Sequence, residues 1–291
     1  MSFGAGMRAE HRVRVGPVGF RIGSAWRQPI DLISRLYEGY PAPDGDIPDL
    51  SVRLEPERPW RRILRPSVAI SGDYWLPDAL PLPLSLGLLA AEMAMNLQVA
   101  LGWRRHLLLH ASAVERDGRV LLMTGESGSG KSTLSALLAL NGWRFLGDEF
   151  ALVSLDDGRV HPFPRPASLK NEAIAAVRAA GGTVGPVLED TPKGRIGYWR
   201  PPADAIARMG EAAAPRLLLL PRFGGEEAVD AVAPSEAFVR LTQASTNYVA
   251  LGEPGFTALA RLVTTVPALA IDYPDSATAL AMVERLWRQA A

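Results

Sequence analysis

The chain has 291 residues, 48% of them apolar and 21% charged, with a formal net charge of zero. That composition fits a folded chain with a sizeable core, in one large domain or two smaller ones. The balanced charge excludes the strong basic field of a nucleic-acid or acidic-membrane binder. The lack of any cysteine excludes a disulfide framework and a cysteine metal site, and suits a cytoplasmic protein.

Residues 1–80 read as a separate α+β lobe. The first fifteen residues contain no apolar run, so no signal peptide is expected. Residues 12–15 and 50–54 alternate as half-buried strands do, and residues 67–70 form another strand before a turn. Residues 30–40 read as a short helix with Leu32, Ile33, Leu36 and Tyr37 on one face. Trp26, Trp60, Tyr74 and Trp75 are expected in a core or at a lobe interface.

Pro77, Pro81 and Pro83 mark a boundary, after which residues 81–291 form the second domain. Leu86, Leu89, Ala90, Met93, Leu97, Ala100 and Leu101 recur at helical spacing. This helix is expected to connect the lobes and to pack on the second domain. Glu92, Asn96 and Gln98 make it amphipathic and argue against a membrane span.

Two apolar runs, residues 107–114 and 120–124, flank Arg116-Asp117-Gly118-Arg119. Asp-Gly between such runs signals a hairpin. The second strand is therefore expected to be antiparallel to its predecessor, unlike the parallel strands of ordinary doubly wound sheets.

That second strand leads into Gly125-Glu126-Ser127-Gly128-Ser129-Gly130-Lys131-Ser132, which satisfies G-x-x-x-x-G-K-[ST] at every fixed position. Leu134, Leu137, Leu138 and Leu140 then give a helix an apolar face, and Gly142 stands at its C-cap. The glycines permit backbone angles and close approaches that a side chain blocks. Successive N–H groups can then face phosphate oxygens, with the helix N-terminus behind them. Lys131 is suited to the β- and γ-phosphates and the Ser132 hydroxyl to Mg²⁺, while Thr133 continues the nucleotide-binding run.

Residues 143–146 read as the next strand. Asp148 and Glu149 follow it, with Asp148 17 residues after Lys131, which returns the pair to the mouth of the loop. Phosphoryl transfer needs a carboxylate on Mg²⁺ and, in a kinase, one for the acceptor's proton. His110 ends the apolar run on the strand paired with the one feeding the loop. A structural role and a phosphate-side role are both open to it. His11, His106 and His161 lack metal-ligand spacing.

Of 31 basic residues only three are lysines, Lys131, Lys170 and Lys193. A compact ammonium does what a planar guanidinium does poorly, so Lys170 and Lys193 become candidates for phosphate or substrate contacts. Residues 150–155 and a strand from Val160, joined by a turn at residues 156–158, complete a mixed or antiparallel sheet. Residues 162–171 read as a rigid loop before a helix at residues 172–180. Residues 181–202 read as a long, functional or mobile connection holding Lys193 and Arg195. Residues 216–220 form a buried strand, and residues 235–248 and 277–289 form helices. Asp272, in a C-terminal strand, looks remote from the loop.

The order His110, residues 125–132, Asp148-Glu149 resembles the bacterial HPr kinase/phosphorylase. More closely, the chain is similar to the HPr-kinase-related kinase A group. The likeness runs through Leu108-Leu109-His110-Ala111, Gly142-Trp143-Arg144, Asp148-Glu149-Phe150, Pro164-Arg165-Pro166, Ser168-Leu169-Lys170-Asn171 and Thr191-Pro192-Lys193-Gly194. The resemblance implies a mixed α/β fold: an HPr-kinase/PEP-carboxykinase-like P-loop catalytic domain behind a small N-terminal α+β lobe. It implies ATP- and Mg²⁺-dependent phosphorylation of a serine on a protein or ribosomally made peptide. Asp148 is carried over as the acceptor's base, Glu149 as a metal-side acid and His110 as a residue beside the reacting phosphates. Lys170, Lys193 or Arg195 is left to meet phosphate or substrate.

Glu149 stands where the HPr enzyme has a second Asp, and its later Glu-Ile-Arg-Gly-x-Gly stretch is absent, which leaves reverse phosphorolysis unassigned. The rival readings are a small-molecule kinase on the same scaffold and a nucleotide-gated binding or maturation partner. Neither nucleic acid nor membrane is an expected partner. A homo-oligomer is compatible with the sequence but not readable from it.

Overall fold

The computed structural model describes residues 7–75 and 79–290. Pro77, one of the three boundary prolines, lies outside them. The chain divides into two compact units, one ending at Trp103 and the other beginning at Arg104.

Among the described residues, the first unit holds a five-stranded sheet, two α-helices and two short 3-10 turns. Strand β1 (Ala9–Val15) pairs antiparallel with β2 (Val18–Ser24). Helix α1 (Arg27–Leu36) then crosses over so that β3 (Leu50–Pro56) runs parallel to β2. Strands β4 (Ser67–Gly72) and β5 (Leu82–Pro83) follow antiparallel. Helix α1 buries Ile30, Ile33 and Leu36; of the expected face, Ile33, Leu36 and the C-cap Tyr37 are buried, whereas Leu32 is only half-buried.

Helix α2 (Gly87–Gly102) belongs to this first unit, so the division falls at 103/104 and not at 80/81. Its packing against β3, β4 and α1 explains the difference. The helix is not amphipathic. Leu88, Ala91, Met95 and Val99 are buried as well as Leu89 and Ala90, whereas Met93 is exposed. Gln98, a residue that argued for a polar face, is fully buried, donating to the Tyr74 carbonyl at 2.7 Å and accepting from the Tyr74 N–H at 2.8 Å. By length and composition, residues 84–102 could cross a membrane, but 61% of that window is buried inside the fold. Trp60, Tyr74 and Trp75 are exposed rather than core residues, Trp75 at 73%.

The second unit holds β6 (His106–Leu109), β7 (Ala111–Arg116), β8 (Arg119–Thr124), α3 (Lys131–Leu140) and β9 (Arg144–Gly147). Then come β10 (Ala151–Ser154), β11 (Val160–His161), β12 (Ala167–Lys170) and α4 (Glu172–Ala179). Next are β13 (Val184–Thr191), β14 (Gly194–Trp199), α5 (Ala203–Ala207), β15 (Ala214–Phe223) and β16 (Ala228–Val232). Helices α6 (Pro234–Ala244), α7 (Tyr248–Leu251) and α8 (Glu253–Thr265), strand β17 (Ala268–Tyr273) and helix α9 (Ser276–Gln289) close it.

The main sheet has the order β16-β17-β15-β8-β7-β9. It is mixed: β8, β15 and β17 are parallel neighbours, whereas β7 is antiparallel to both β8 and β9. The hairpin between β7 and β8 turns at Asp117 (φ 55°) and Gly118 (φ 73°). Two consecutive positive φ angles are what a tight two-residue hairpin turn requires, and Asp-Gly supplies them at little strain. Along β8 the side chains alternate between two cores. Leu121 and Met123 face α3 and α9, while Val120 and Leu122 face α6 and α8. Burial on both faces accounts for its uninterrupted apolar run.

A buried ion pair ties β7 to β9. Arg144 Nε donates to Glu115 Oε2 at 2.6 Å, both side chains being at most 5% exposed. Glu115 also accepts from the Gly118 N–H, and Arg144 donates to the Arg208 and Glu211 carbonyls. The charges are thus compensated on both sides, as burial demands.

Four expectations change here. The run at residues 107–114 is two strands in different sheets, with His110 at the break between β6 and β7 and its N–H donating to Ala244 O at 2.8 Å. Residues 181–202 are largely the β13–β14 hairpin, and residues 167–170 are a strand paired with it rather than a loop. The helix expected at residues 235–248 ends at Ala244, and Tyr248–Leu251 forms a separate turn of helix.

Candidate active site

Strand β8 ends at Thr124, and the residues from Gly125 to Gly130 turn the chain into α3. Gly125, Gly128 and Gly130 have φ of 152°, 90° and 94°, angles that side chains disfavour. At Gly130 space is also limiting: a Cβ there would lie 2.5 Å from Tyr273 Oη. Tyr273 donates to Ser129 O at 3.3 Å and buttresses the loop from β17. Its phenol is pushed up to about 12 by burial, so it remains a donor.

Lys131 opens α3 and is buried. Its Nζ donates to Gly125 O and Glu126 O at 2.8 Å and to Ser129 Oγ at 3.4 Å. Burial lowers its pKa, opposed by the nearby carboxylates of Asp148 and Glu149. The ammonium is thus folded against the loop, at the helix N-terminus where partial positive charge gathers.

Pairing of β9 with β7 places the two acids. Ala113 opposes Gly147, so Asp148 emerges beside Ser112. Ser112 Oγ donates to Asp148 Oδ1 at 2.6 Å, and Ser132 lines the same cavity as Asp148. Asp148 is only 6% exposed. Burial and then the charge of Glu149 push its carboxyl up to about 6, against the serine hydroxyls and His110. Glu149 lies beside His110. Its Oε2 is 3.7 Å from His110 Nδ1, with side-chain exposures of 36% and 44%, and that same nitrogen is 3.1 Å from the Glu149 carbonyl oxygen.

These groups line one cavity of about 420 Å³, with His110, Lys131, Ser132, Asp148, Glu149, Lys170 and Lys193 on its walls. Lys170 ends β12, and Lys193 sits in the turn between β13 and β14. Asn171 brings them together: its Oδ1 accepts from Arg195 N at 3.0 Å and its Nδ2 donates to Lys193 O at 3.5 Å. All three lysines of the chain therefore face one volume. Arg195 does not join them among the cavity-lining residues, and it pairs with the exposed Glu189 at 2.9 Å. Asp272 is nearer than expected, one strand beyond β15, but it is paired with Arg222.

Among the described residues, no cluster of three His, Cys, Asp or Glu side chains could hold a metal ion by itself. The donor set at hand is the Ser132 hydroxyl and two carboxylates. That suits Mg²⁺, which is commonly held by one or two carboxylates and completes its shell with substrate phosphates and water. Loop glycines, a buried lysine and a helix N-terminus suit the phosphates themselves.

Ser112, Phe223 and Tyr273 escaped the sequence reading. Ser112 has no motif, and its importance follows only from the β7–β9 register. Tyr273 had one signal, its place at the end of an apolar strand.

No protein-family model matches the sequence, and no curated protein matches it. Among solved structures, the chain is similar to the Hpr(Ser) kinase/phosphatase from Coxiella burnetii. The identity is 15%, the match covers 62% of this chain and 94% of that one, and the TM-score is 0.29. A likeness this loose carries no chemistry across, so the functional reading rests on the cavity.

Proposed function

We propose that the protein is an ATP- and Mg²⁺-dependent phosphotransferase acting in the cytoplasm on a serine hydroxyl of a protein or peptide. The observation that supports it best is the convergence of Lys131, Ser132, Asp148, Glu149 and His110 on one cavity at the N-terminus of α3. The serine acceptor is the finer part of the reading and follows the resemblance in residues 108–111, 148–150, 164–171 and 191–194.

The roles of the two acids are exchanged relative to the sequence-based expectation. Asp148 is buried, bonded to Ser112 and on the same cavity wall as Ser132, which suits the metal side. Glu149 reaches open space beside His110, which suits the acceptor side. The loop amides and Lys131 hold phosphate oxygens, and Ser132 with Asp148 would hold Mg²⁺. Bound Mg²⁺ supplies neutralisation of phosphate charge. Glu149 takes the proton of the acceptor hydroxyl as its oxygen bonds to the γ-phosphorus. The bond from that phosphorus to the bridging oxygen breaks, and ADP leaves with the electron pair. Lys170 and Lys193 offset charge on the moving phosphoryl group.

The test is mass spectrometry of serine-containing peptides incubated with Mg·ATP and the protein. A gain of one phosphate on serine, lost in Lys131→Ala and in Glu149→Gln, is the expected result. Transfer at the wild-type rate by Glu149→Gln would remove Glu149 from the acceptor side. Metabolites phosphorylated while peptides are ignored would replace the peptide acceptor with a small molecule.

A further inference from the structure

One stretch of the first unit carries charge and apolar surface that the fold does not use. Residues 57–66 read Glu-Arg-Pro-Trp-Arg-Arg-Ile-Leu-Arg-Pro, four arginines against one glutamate. They form a 3-10 turn (Pro59–Arg62) and the loop after it, between β3 and β4. The turn is tied down. Trp26 Nε1 donates to Arg62 O at 2.9 Å, Arg61 Nη1 donates to Arg65 O at 3.1 Å, and the Ile63 and Leu64 N–H groups both donate to Trp60 O. Yet Trp60, Ile63 and Leu64 are 48%, 86% and 64% exposed. Among the described residues, no carboxylate pairs with Arg58, Arg61, Arg62 or Arg65, whereas the exposed Arg195, Arg222, Arg240 and Arg285 are each held by one. Glu57 accepts from the Ser67 hydroxyl instead. The Arg61 guanidinium lies over the Trp60 ring at 4.6 Å, and its Nε is enclosed with no hydrogen-bond partner among the described residues.

Beside the turn lies an open groove of about 550 Å³, lined by Glu57, Arg61 and Arg65 from the turn and by Pro81, Pro83 and Leu84 around β5. Prolines lack the N–H that an added strand would pair with, so the groove recognises a ligand through side chains. We infer that this patch docks an acidic segment of the peptide or protein substrate, its carboxylates on the arginines and an apolar side chain beside Ile63 and Leu64. The inference rests on the phosphotransferase reading for what the partner is, and adds the surface that holds it away from the phosphorylated serine. Charge decides the occupant. The excess of positive charge is local, in a chain whose formal net charge is zero, and arginine forks match carboxylates in two-point contacts. A membrane surface is flat, whereas Arg61 and Arg65 line a groove, which a peptide chain can enter. Because the turn is already fixed by its own hydrogen bonds, little order is lost when a ligand binds.

The experiment is fluorescence anisotropy of the full chain with a labelled peptide, Glu-Glu-Leu-Asp-Glu-Leu, and with its amide counterpart, Gln-Gln-Leu-Asn-Gln-Leu. The wild type should bind the acidic probe about fivefold or more tightly, less so as salt rises. Arg58→Gln with Arg65→Asn removes two exposed charges, asparagine tolerating the left-handed φ of 46° at residue 65. That variant should bind the acidic probe about fivefold more weakly, the scale of two surface ion pairs, with an unchanged melting temperature. Equal wild-type affinity for the two probes, or no loss in the variant, would overturn the inference. So would phosphatidylserine vesicles that capture the wild type but not the variant while the acidic probe goes unbound. A second arm joins the acidic probe to a serine-containing segment and supplies Mg·ATP. The variant should raise its KM about fivefold and leave kcat unchanged. Phosphorylation with an unchanged KM would overturn the docking role. An acidic probe that binds while no peptide is phosphorylated would overturn the phosphotransfer reading and leave the acidic-peptide site standing.

Discussion

Asp148 should make the protein less stable in order to serve its site, and replacing it should show this. Its carboxyl is raised from an ordinary value of 3.8 to about 6 by burial and by Glu149. The folded chain therefore keeps a proton that the unfolded chain has lost. The associated stability is complete below about pH 4 and disappears as pH rises through about 6. At about 1.4 kcal/mol for each tenfold change in acidity, a rise of this size corresponds to roughly 3 kcal/mol. Asparagine carries no charge, and its Oδ1 still accepts the Ser112 hydrogen bond. Asp148→Asn should therefore raise the melting temperature at pH 8 by roughly 5–10 °C, change it little at pH 4, and abolish transfer. Differential scanning calorimetry at the two pH values reads the difference. A melting temperature that falls at pH 8, or that shifts equally at both pH values, would refute the argument that buried charge at Asp148 opposes folding.

Three further outcomes are expected. Arg144→Met leaves Glu115 charged and buried, so urea denaturation should show a loss of about 3–5 kcal/mol, which adding Glu115→Leu should partly restore. Gly130→Ala places a methyl group against Tyr273 Oη at a left-handed φ. Mg·ATP affinity by calorimetry should fall at least tenfold, and adding Tyr273→Phe should recover part of it. Glu149→Gln should leave Mg·ATP affinity within about twofold and lower kcat by ~100-fold or more, the scale of a lost general base, in steady-state assays.

Much of this site is legible in the sequence because its signals are local. The glycine-rich loop, the helix after it and the Asp-Gly hairpin before it each depend on a few consecutive residues, and the structure places each where the sequence reading does. The acid pair follows from counting one helix and one strand. The gathering of Lys170 with Lys193 is less direct. Residues 181–202, rich in glycine and proline, alternate too weakly to announce strands. Only pairing with β12 and the hydrogen bonds of Asn171 fix their turn over the cavity.

Helix α2 departs from its sequence expectation for a related reason. Burial on nearly every face erases the periodicity that an amphipathic reading depends on. The division of labour proposed for Asp148 and Glu149 lies beyond sequence altogether, because it turns on which carboxylate Ser112 reaches.

The measurement that tests the central claim most directly is ³¹P NMR of Mg·ATP turned over by the wild-type protein with a pool of serine-containing peptides. The account predicts that the γ-phosphorus signal is replaced by a phosphoserine monoester signal in step with ADP formation. A γ-phosphorus that stays in ATP, or that passes only to inorganic phosphate, would contradict it.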